Sequence, residues 1–326
     1  MVKQKGIALL QVLLIFALLS IVAVNLQLNQ RLNIERALQS LFYSQATVML
    51  DSAETIAKVV LILDEQNSQT DHLYERWNVT EGIFPLTEPK ALLETELNDL
   101  QGRFNVNWLS MDCKFRESAL VGLKQLLTLI GSDPEIADEL YMWFDQDSGA
   151  EYLYLDKLPT YSPSFQPIAD ISELNLLNAI EPDTYKEIAP YLSALPANSA
   201  LNINTAPVEI LQIVAPFIDL ETANKMVTDR GEDGFKNIED FKKYPVFTIN
   251  QDKSVNIPEL TVSSQWFELY TSVTIEDKAL TQASLLSRLN QEVIIVMRNR
   301  SAVSANRIPG DPIKGQKIEN DEDIIE

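Results

Sequence analysis

Within Trp143–Asp156 (WFDQDSGAEYLYLD) three acids, Asp145, Asp147 and Glu151, alternate around Gly149. That spacing gathers carboxylate oxygens into one turn-rich loop, and a hard cation such as calcium takes roughly six to eight oxygen ligands. These three are the candidate calcium ligands. The interval is not that of an EF-hand loop, so a solvated acidic turn is the competing reading. Other reactive side chains are scarce. The one histidine, His72, lies in the polar stretch SQTDHLYERW and is expected in solvent. The single Cys113, between Asp112 and Lys114, has no histidine near it in sequence, so a packed or partly exposed thiol is expected. One cysteine makes no internal disulfide. With 47 acids against 26 bases, carboxylate pairs occur throughout and do not point to hydrolysis. No enzymatic activity is expected.

The segment LNINTAPVEILQIVAPFIDLETANKMVTDRGEDGFKNIEDF (201–241) has the outline of a helix-hairpin-helix, with Thr205 placed to cap a helix that has Pro207 in its first turn. Versions that bind DNA grip phosphate with a glycine-rich hairpin and its exposed amides. Here the hairpin reads Ala215–Pro216–Phe217–Ile218–Asp219, and the segment holds three bases against eight acids. With a whole-chain net charge of −21, nucleic acid is not expected as a partner. A membrane-anchored helix-hairpin-helix protein of DNA uptake remains the alternative reading of this segment.

Around these motifs the 326 residues are 46% apolar, enough for a substantial core. GRFNVNWL (102–109), QWFELYTSVTIED (265–277) and LSRLNQEVIIVMRN (286–299) read as strands, and residues 64–82 as a polar loop. From about Cys113 to Tyr244 the pattern is helical and punctuated by proline and glycine. Ser132–Asp133–Pro134 marks one helix start, and Asp170 or Ser172 caps another, with Glu173 in its first turn. A helical block between strands of one antiparallel sheet implies an inserted domain.

The N-terminus sets the remaining question. Ile7–Val24 contains only Gln11 and Ser20 as polar residues, long enough to cross a bilayer core of ~30 Å. Lys3 and Lys5 precede it, which keeps the N-terminus cytoplasmic and sends the rest across. A cleaved secretory signal is the rival reading. Against it, no glycine falls between Gly6 and Gly82, and apolar residues recur at Ile34, Leu38, Leu41, Phe42, Met49, Ala53, Ile56, Val60 and Leu63. That spacing predicts one helix from about Ile7 to Leu63, roughly 85 Å long, its second half laying this stripe on a globular head.

A short basic leader ending in glycine, followed by such a helix, resembles the class III signal of type IV pilins and pseudopilins. The resemblance implies cleavage by a prepilin peptidase between Gly6 and Ile7 and N-methylation of Ile7. Most members carry glutamate at the fifth mature position, where this chain has Gln11. A buried carboxylate needs a neighbour's ammonium, and a leading subunit has none ahead of it. Gln11 therefore either suits a leading position or sits at a site that tolerates polarity. The WFDQDSGAE loop and the NINTAP…GFKNIEDF module resemble the type II secretion minor pseudopilin K family. This implies an α+β fold in which a pilin-like long helix packs on an antiparallel sheet holding a large α-helical insertion. The expected divisions are a leader at 1–6, a membrane span at 7–24, and helix and first strands at 25–112. The insertion follows at 113–245, the remaining sheet at 246–300, and a disordered acidic tail at 301–326. The implied function is to cap the tip of the secretion pseudopilus and help initiate its assembly. Implied partners are minor pseudopilins of types I and J, the prepilin peptidase, the inner membrane, and the secretin and secreted cargo.

Overall fold

A computed structural model describes residues 7–79, 82–87, 90–250, 255–257 and 259–300. With no proline to remove a hydrogen bond and no glycine to loosen the backbone, helix α1 runs unbroken over Ile7–Asn67, 61 residues and about 90 Å. It ends one turn beyond the predicted Leu63. The leader at 1–6 and the tail at 301–326 lie outside the described residues.

A five-stranded antiparallel sheet receives the second half of α1. Its strands, in spatial and sequence order, are β1 (Gly82–Thr87), β2 (Lys90–Asp99), β3 (Trp266–Ile275), β4 (Lys278–Leu289) and β5 (Glu292–Asn299). β2 pairs with β3 from Ala91 opposite Ile275 to Asp99 opposite Phe267. Everything from Leu100 to Gln265 is thus looped out of a single sheet. The expected α+β architecture, with a helical block set into a pilin-like sheet, is the one observed.

Sequence reasoning missed β1 and β2 and misjudged three other stretches. The 286–299 stretch is two strands, because Asn290 and Gln291 adopt φ of 54° and 61°, the left-handed pair that reverses a two-residue hairpin. GRFNVNWL keeps extended pairing only at Phe104–Asn105, while Val106–Leu109 close into a buried 3-10 turn. The Asn105 side chain caps that turn by accepting from the Asn107 N–H at 3.1 Å. The supposed loop 64–82 holds the end of α1 and a helical turn at Arg76–Val79.

Two cores result. Phe42, Ala46, Leu50, Ala53, Ala57 and Leu61 of α1 meet Leu93, Leu97, Phe267, Leu269, Val273 and Leu286 of the sheet. Three alanines let the helix lie close, and Leu50, fully buried, contributes roughly 1.5–3 kcal/mol. The insertion has a separate core built on Phe104, Trp108, Leu126, Leu140, Trp143 and Phe241 among others. Its main helices are α2 (Arg116–Leu129), α3 (Glu135–Trp143), α4 (Pro182–Ile188), α5 (Val208–Ile213), α6 (Leu220–Arg230) and α7 (Ile238–Lys242).

Insertion and sheet are joined by a buried polar knot. Asp99 accepts from the Thr205 hydroxyl at 2.5 Å, the Ser264 hydroxyl at 2.6 Å, Asn202 Nδ2 at 3.1 Å and the Gln101 N–H at 2.7 Å. Thr205 therefore does not cap α5. Pro207 holds that position, and the Thr205 hydroxyl ties the insertion to β2. Gly102 makes the approach possible, since a Cβ there would lie 2.8 Å from the backbone carbon of Thr205. Asp170 does act as a cap, forming a reciprocal box with Glu173.

Candidate assembly surface on the anchor helix

The head half of α1 presents two apolar stripes, not one. The stripe that meets the sheet runs through Phe42, Ala46, Leu50, Ala53, Ala57 and Leu61. Ile34, Leu38, Leu41, Val48, Ile56, Val59 and Leu63 face solvent on a flank centred about 125° around the helix from it; Val48 is 63% exposed where Leu50 is 0%. Of the residues predicted to lie on the head, Phe42 and Ala53 are buried there, and Met49 and Val60 pack against the same core. Ile34, Leu38, Leu41, Ile56 and Leu63 belong to the bare flank instead. The 3.6-residue period brings both sets round in turn, so one list of spacings merged two faces.

The bare flank continues into the apolar segment. Every residue from Leu9 to Val24, Gln11 included, is exposed around the helix. This is the one described helix long and apolar enough to span a membrane. Its first acid is Glu35, bonded to Arg31 at 2.9 Å on the exposed surface. Ile7 opens the helix, and Gly6 lies outside the described residues.

Two polar anchors fix how α1 presents that flank. Glu54, buried on the helix, takes a bidentate pair from Arg298 Nε and Nη2, both at 2.7 Å, and bonds from Ser284 and Gln282. Burial alone would raise its pKa, but the Arg298 and Ser284 hydrogen bonds hold it below the usual carboxylate range. Near the helix end, Arg288 of β4 reaches Asp64 at 3.0 Å and both oxygens of Asp71 at 2.5 and 2.6 Å. Asp64, Asp71 and Glu75 bring carboxylate oxygens within 4.8 Å of one another, with Arg288 among them. Burial, with Glu75 and Asp71 adding repulsion, pushes the Asp64 carboxyl up to about 7. His72, expected in solvent, is instead packed beside this group, 3.5 Å from Glu75 and under Gly234 of the insertion; burial lowers its basicity.

Asp145, Asp147 and Glu151 share one loop of two short 3-10 turns hinged at Gly149, whose φ is 76°. Among the described residues they do not converge as Asp64, Asp71 and Glu75 do. Asp145 caps its own turn by accepting from the Asp147 N–H at 3.0 Å, and it lies 3.9 Å from Arg116. Asp147 is exposed, while Glu151 Oε2 is buried without a hydrogen-bond partner. In the helix-hairpin-helix segment, Arg230 is buried and donates to the carbonyls of Ile203 and Ala206 at 3.2 and 2.7 Å, an internal role. Cys113 is free and half-buried.

A single apolar anchor helix packed on an antiparallel sheet, with one flank left bare, defines a pilin-class subunit tethered by one membrane pass. Residues 102–197 and 201–263 each match a family described as type II secretion system protein K. The type II secretion system protein K of Pseudomonas aeruginosa is 32% identical over 90% of this chain and 92% of its own length. That of Aeromonas hydrophila is 28% identical over 91% and 96%. A crystal structure of the GspK-GspI-GspJ complex from enterotoxigenic Escherichia coli contains a similar chain, with a TM-score of 0.69 and 26% identity, covering 81% of this chain and 98% of that one. This chain belongs to the type II secretion system protein K family, the K-type minor pseudopilins.

Proposed function

We propose that this subunit leads the pseudopilus: it caps the tip together with minor pseudopilins of types I and J and helps start assembly. The observation that carries the reading is Gln11. It leaves the membrane half of α1 without any acid, so the helix enters the bilayer with no charge that a subunit ahead would have to neutralise. The bare flank of α1 is the lateral surface that the I- and J-type helices would cover; the related chain was solved in complex with GspI and GspJ. The leader would be cut by prepilin peptidase between Gly6 and Ile7, and Ile7 methylated. The anchor would then sit in the inner membrane with the head in the periplasm, where the acidic insertion would face secretin and cargo.

Calcium at the acidic loop belongs to the same proposal. The orphaned Oε2 of Glu151 is the feature that fits a cation, with Asp145 and Asp147 as the carboxylates that would join it. A calcium titration of the purified chain with no heat of binding would remove it.

The tip position is tested by placing a cysteine at Val48 in a Cys113→Ser background and oxidising in secreting cells. The expected adducts join it to cysteines in the α1 helices of the I- and J-type subunits, with label at one end of the fibre. Adducts between copies of this chain, or label spread along the fibre, would overturn it.

A further inference from the structure

The insertion carries a surface that neither the anchor helix nor the sheet explains. Two neighbouring loops, 150–158 and 174–179, turn Tyr152, Leu153, Leu155, Leu158 and Leu176 into solvent; Leu158 is 97% and Tyr152 72% exposed. In this stretch Tyr154 points the other way and fastens the loops from beneath. Its hydroxyl donates to Glu139 Oε1 at 2.6 Å, and its ring lies 5.4 Å from Trp143 and 5.1 Å from Tyr161. The same buried carboxylate accepts the N–H groups of Asn178 at 2.6 Å and Ala179 at 2.8 Å. Asn178 Nδ2 donates to the Leu153 carbonyl at 2.6 Å, and the Tyr161 hydroxyl to the Leu176 carbonyl at 2.5 Å. Thr160 closes the turn by donating to the carbonyls of Leu155 and Lys157 at 3.3 and 3.2 Å.

This is an apolar projection held in place from below, not a collapsed loop. A surface already ordered loses little entropy on docking, and clustered exposed apolar side chains mark interaction sites. The charge around it selects the partner. From Trp143 to Tyr185 there are eight acids and a single base, Lys157, and Asp147, Glu151 and Asp156 adjoin the apolar residues in the chain. Like charge disfavours both an anionic bilayer and a second copy of the same loop. We propose that this crown docks into another protein, one whose apolar pocket is edged by lysine and arginine. The inference rests on the leading position argued above, since the insertion is open to a partner only where no further subunit stacks on it.

The test uses the full chain in secreting cells. One variant combines Leu155→Ser with Leu158→Ser; a second, Asp156→Lys, reverses charge at one exposed position outside the candidate calcium ligands. A third carries a photo-crosslinking amino acid in place of Leu158. The α1 cysteine adducts to the I- and J-type subunits report assembly separately and are expected to persist in the first two. Secretion is expected to fall about tenfold or more in each. Light should yield an adduct at position 158 to a protein other than this chain and the I- and J-type subunits, and the charge reversal should abolish it. Secretion within about twofold of the parent in both variants would overturn the proposal. So would an adduct confined to lipid, to a second copy or to the I- and J-type subunits. Loss of the α1 adducts would instead strike the tip position itself.

Discussion

Asp64→Asn should stabilise this protein by an amount that grows as pH rises from about 4 to about 7. Asp64 ends α1 with its side chain 9% exposed, facing Asp71 and Glu75 with Arg288 as the cation they share. His72 borders the group, and Asp99 lies behind Asp71, fully buried and itself raised by burial to about 6. An unfolded aspartate titrates near ~3.9, whereas Asp64 in the folded chain titrates at about 7. Between those values the folded state holds a proton that the unfolded state has released. Stability is therefore fully present below pH ~4, is lost as pH rises, and has no more to lose from this group above pH ~7, at up to ~1.4 kcal/mol per unit. Because the carboxylates share one cation, about 2 kcal/mol between pH 5.5 and pH 8 is a reasonable magnitude. Asparagine removes the titration while keeping shape and polarity. Urea unfolding of the detergent-solubilised chain can be followed by the fluorescence of its four tryptophans, among them Trp77, which is fully buried and bonded to Glu75 at 2.9 Å. The variant should match the parent near pH ~4, already exceed it at pH 5.5, and gain about 2 kcal/mol more on it between pH 5.5 and pH 8. The Asp99 contribution is common to both proteins and cancels. Parallel pH profiles, or an asparagine variant weaker at pH 8, would refute the reasoning.

The two faces of α1 predict opposite responses to truncation. Leu50→Ala should cost about 2–5 kcal/mol by leaving a cavity against the sheet, while Val48→Ala should stay within about 0.5 kcal/mol in the isolated chain, as denaturation midpoints would show. Gly102→Ala should destabilise by about 1–3 kcal/mol, since the added methyl meets the Thr205 backbone at 2.8 Å and must prise the insertion from β2. Proteolysis between Leu100 and Gln265 would report that loosening as faster cleavage.

Much of the architecture was legible because the signals were long. The absence of glycine and proline from Ile7 onward fixed α1 to within one turn. The helical block between strands disclosed the insertion. Short elements were harder. β2 does alternate, with Ala91, Leu93 and Leu97 buried, but Pro85 in its neighbour β1 reads as a strand breaker unless that strand is known to lie at an edge. At Asn290–Gln291 the left-handed turn lacks the glycine that usually announces it. For the candidate site, spacing found the apolar residues of α1 but not which of its two sides the sheet would take. That choice depends on Ala46, Ala53 and Ala57, whose small size permits close approach and which a hydrophobicity pattern weights lightly. Nor could sequence show that Thr205 would abandon its helix for Asp99, a carboxylate more than a hundred residues earlier.

The bare flank explains why α1 needs its second, polar set of holdfasts. A helix shared between a head and a fibre is pulled on both sides. Ile34, Leu38, Leu41 and Val48, then Ile56, Val59 and Leu63, follow one another at three, four, seven or eight residues, a spacing that lays an apolar strip along one flank for a neighbouring helix. Covering seven such side chains at roughly 1 kcal/mol or more each would favour association even after the cost of lost freedom. It would also tend to rotate the helix off its own sheet. Glu54–Arg298 opposes that rotation, because turning α1 would strand the Glu54 carboxylate in a buried site without its cation, which costs ~3–5 kcal/mol. In the apolar segment Ile7–Val24, where no sheet exists to receive such a pair, the helix carries no acid at all, and Gln11 is the polar side chain that the same logic permits there.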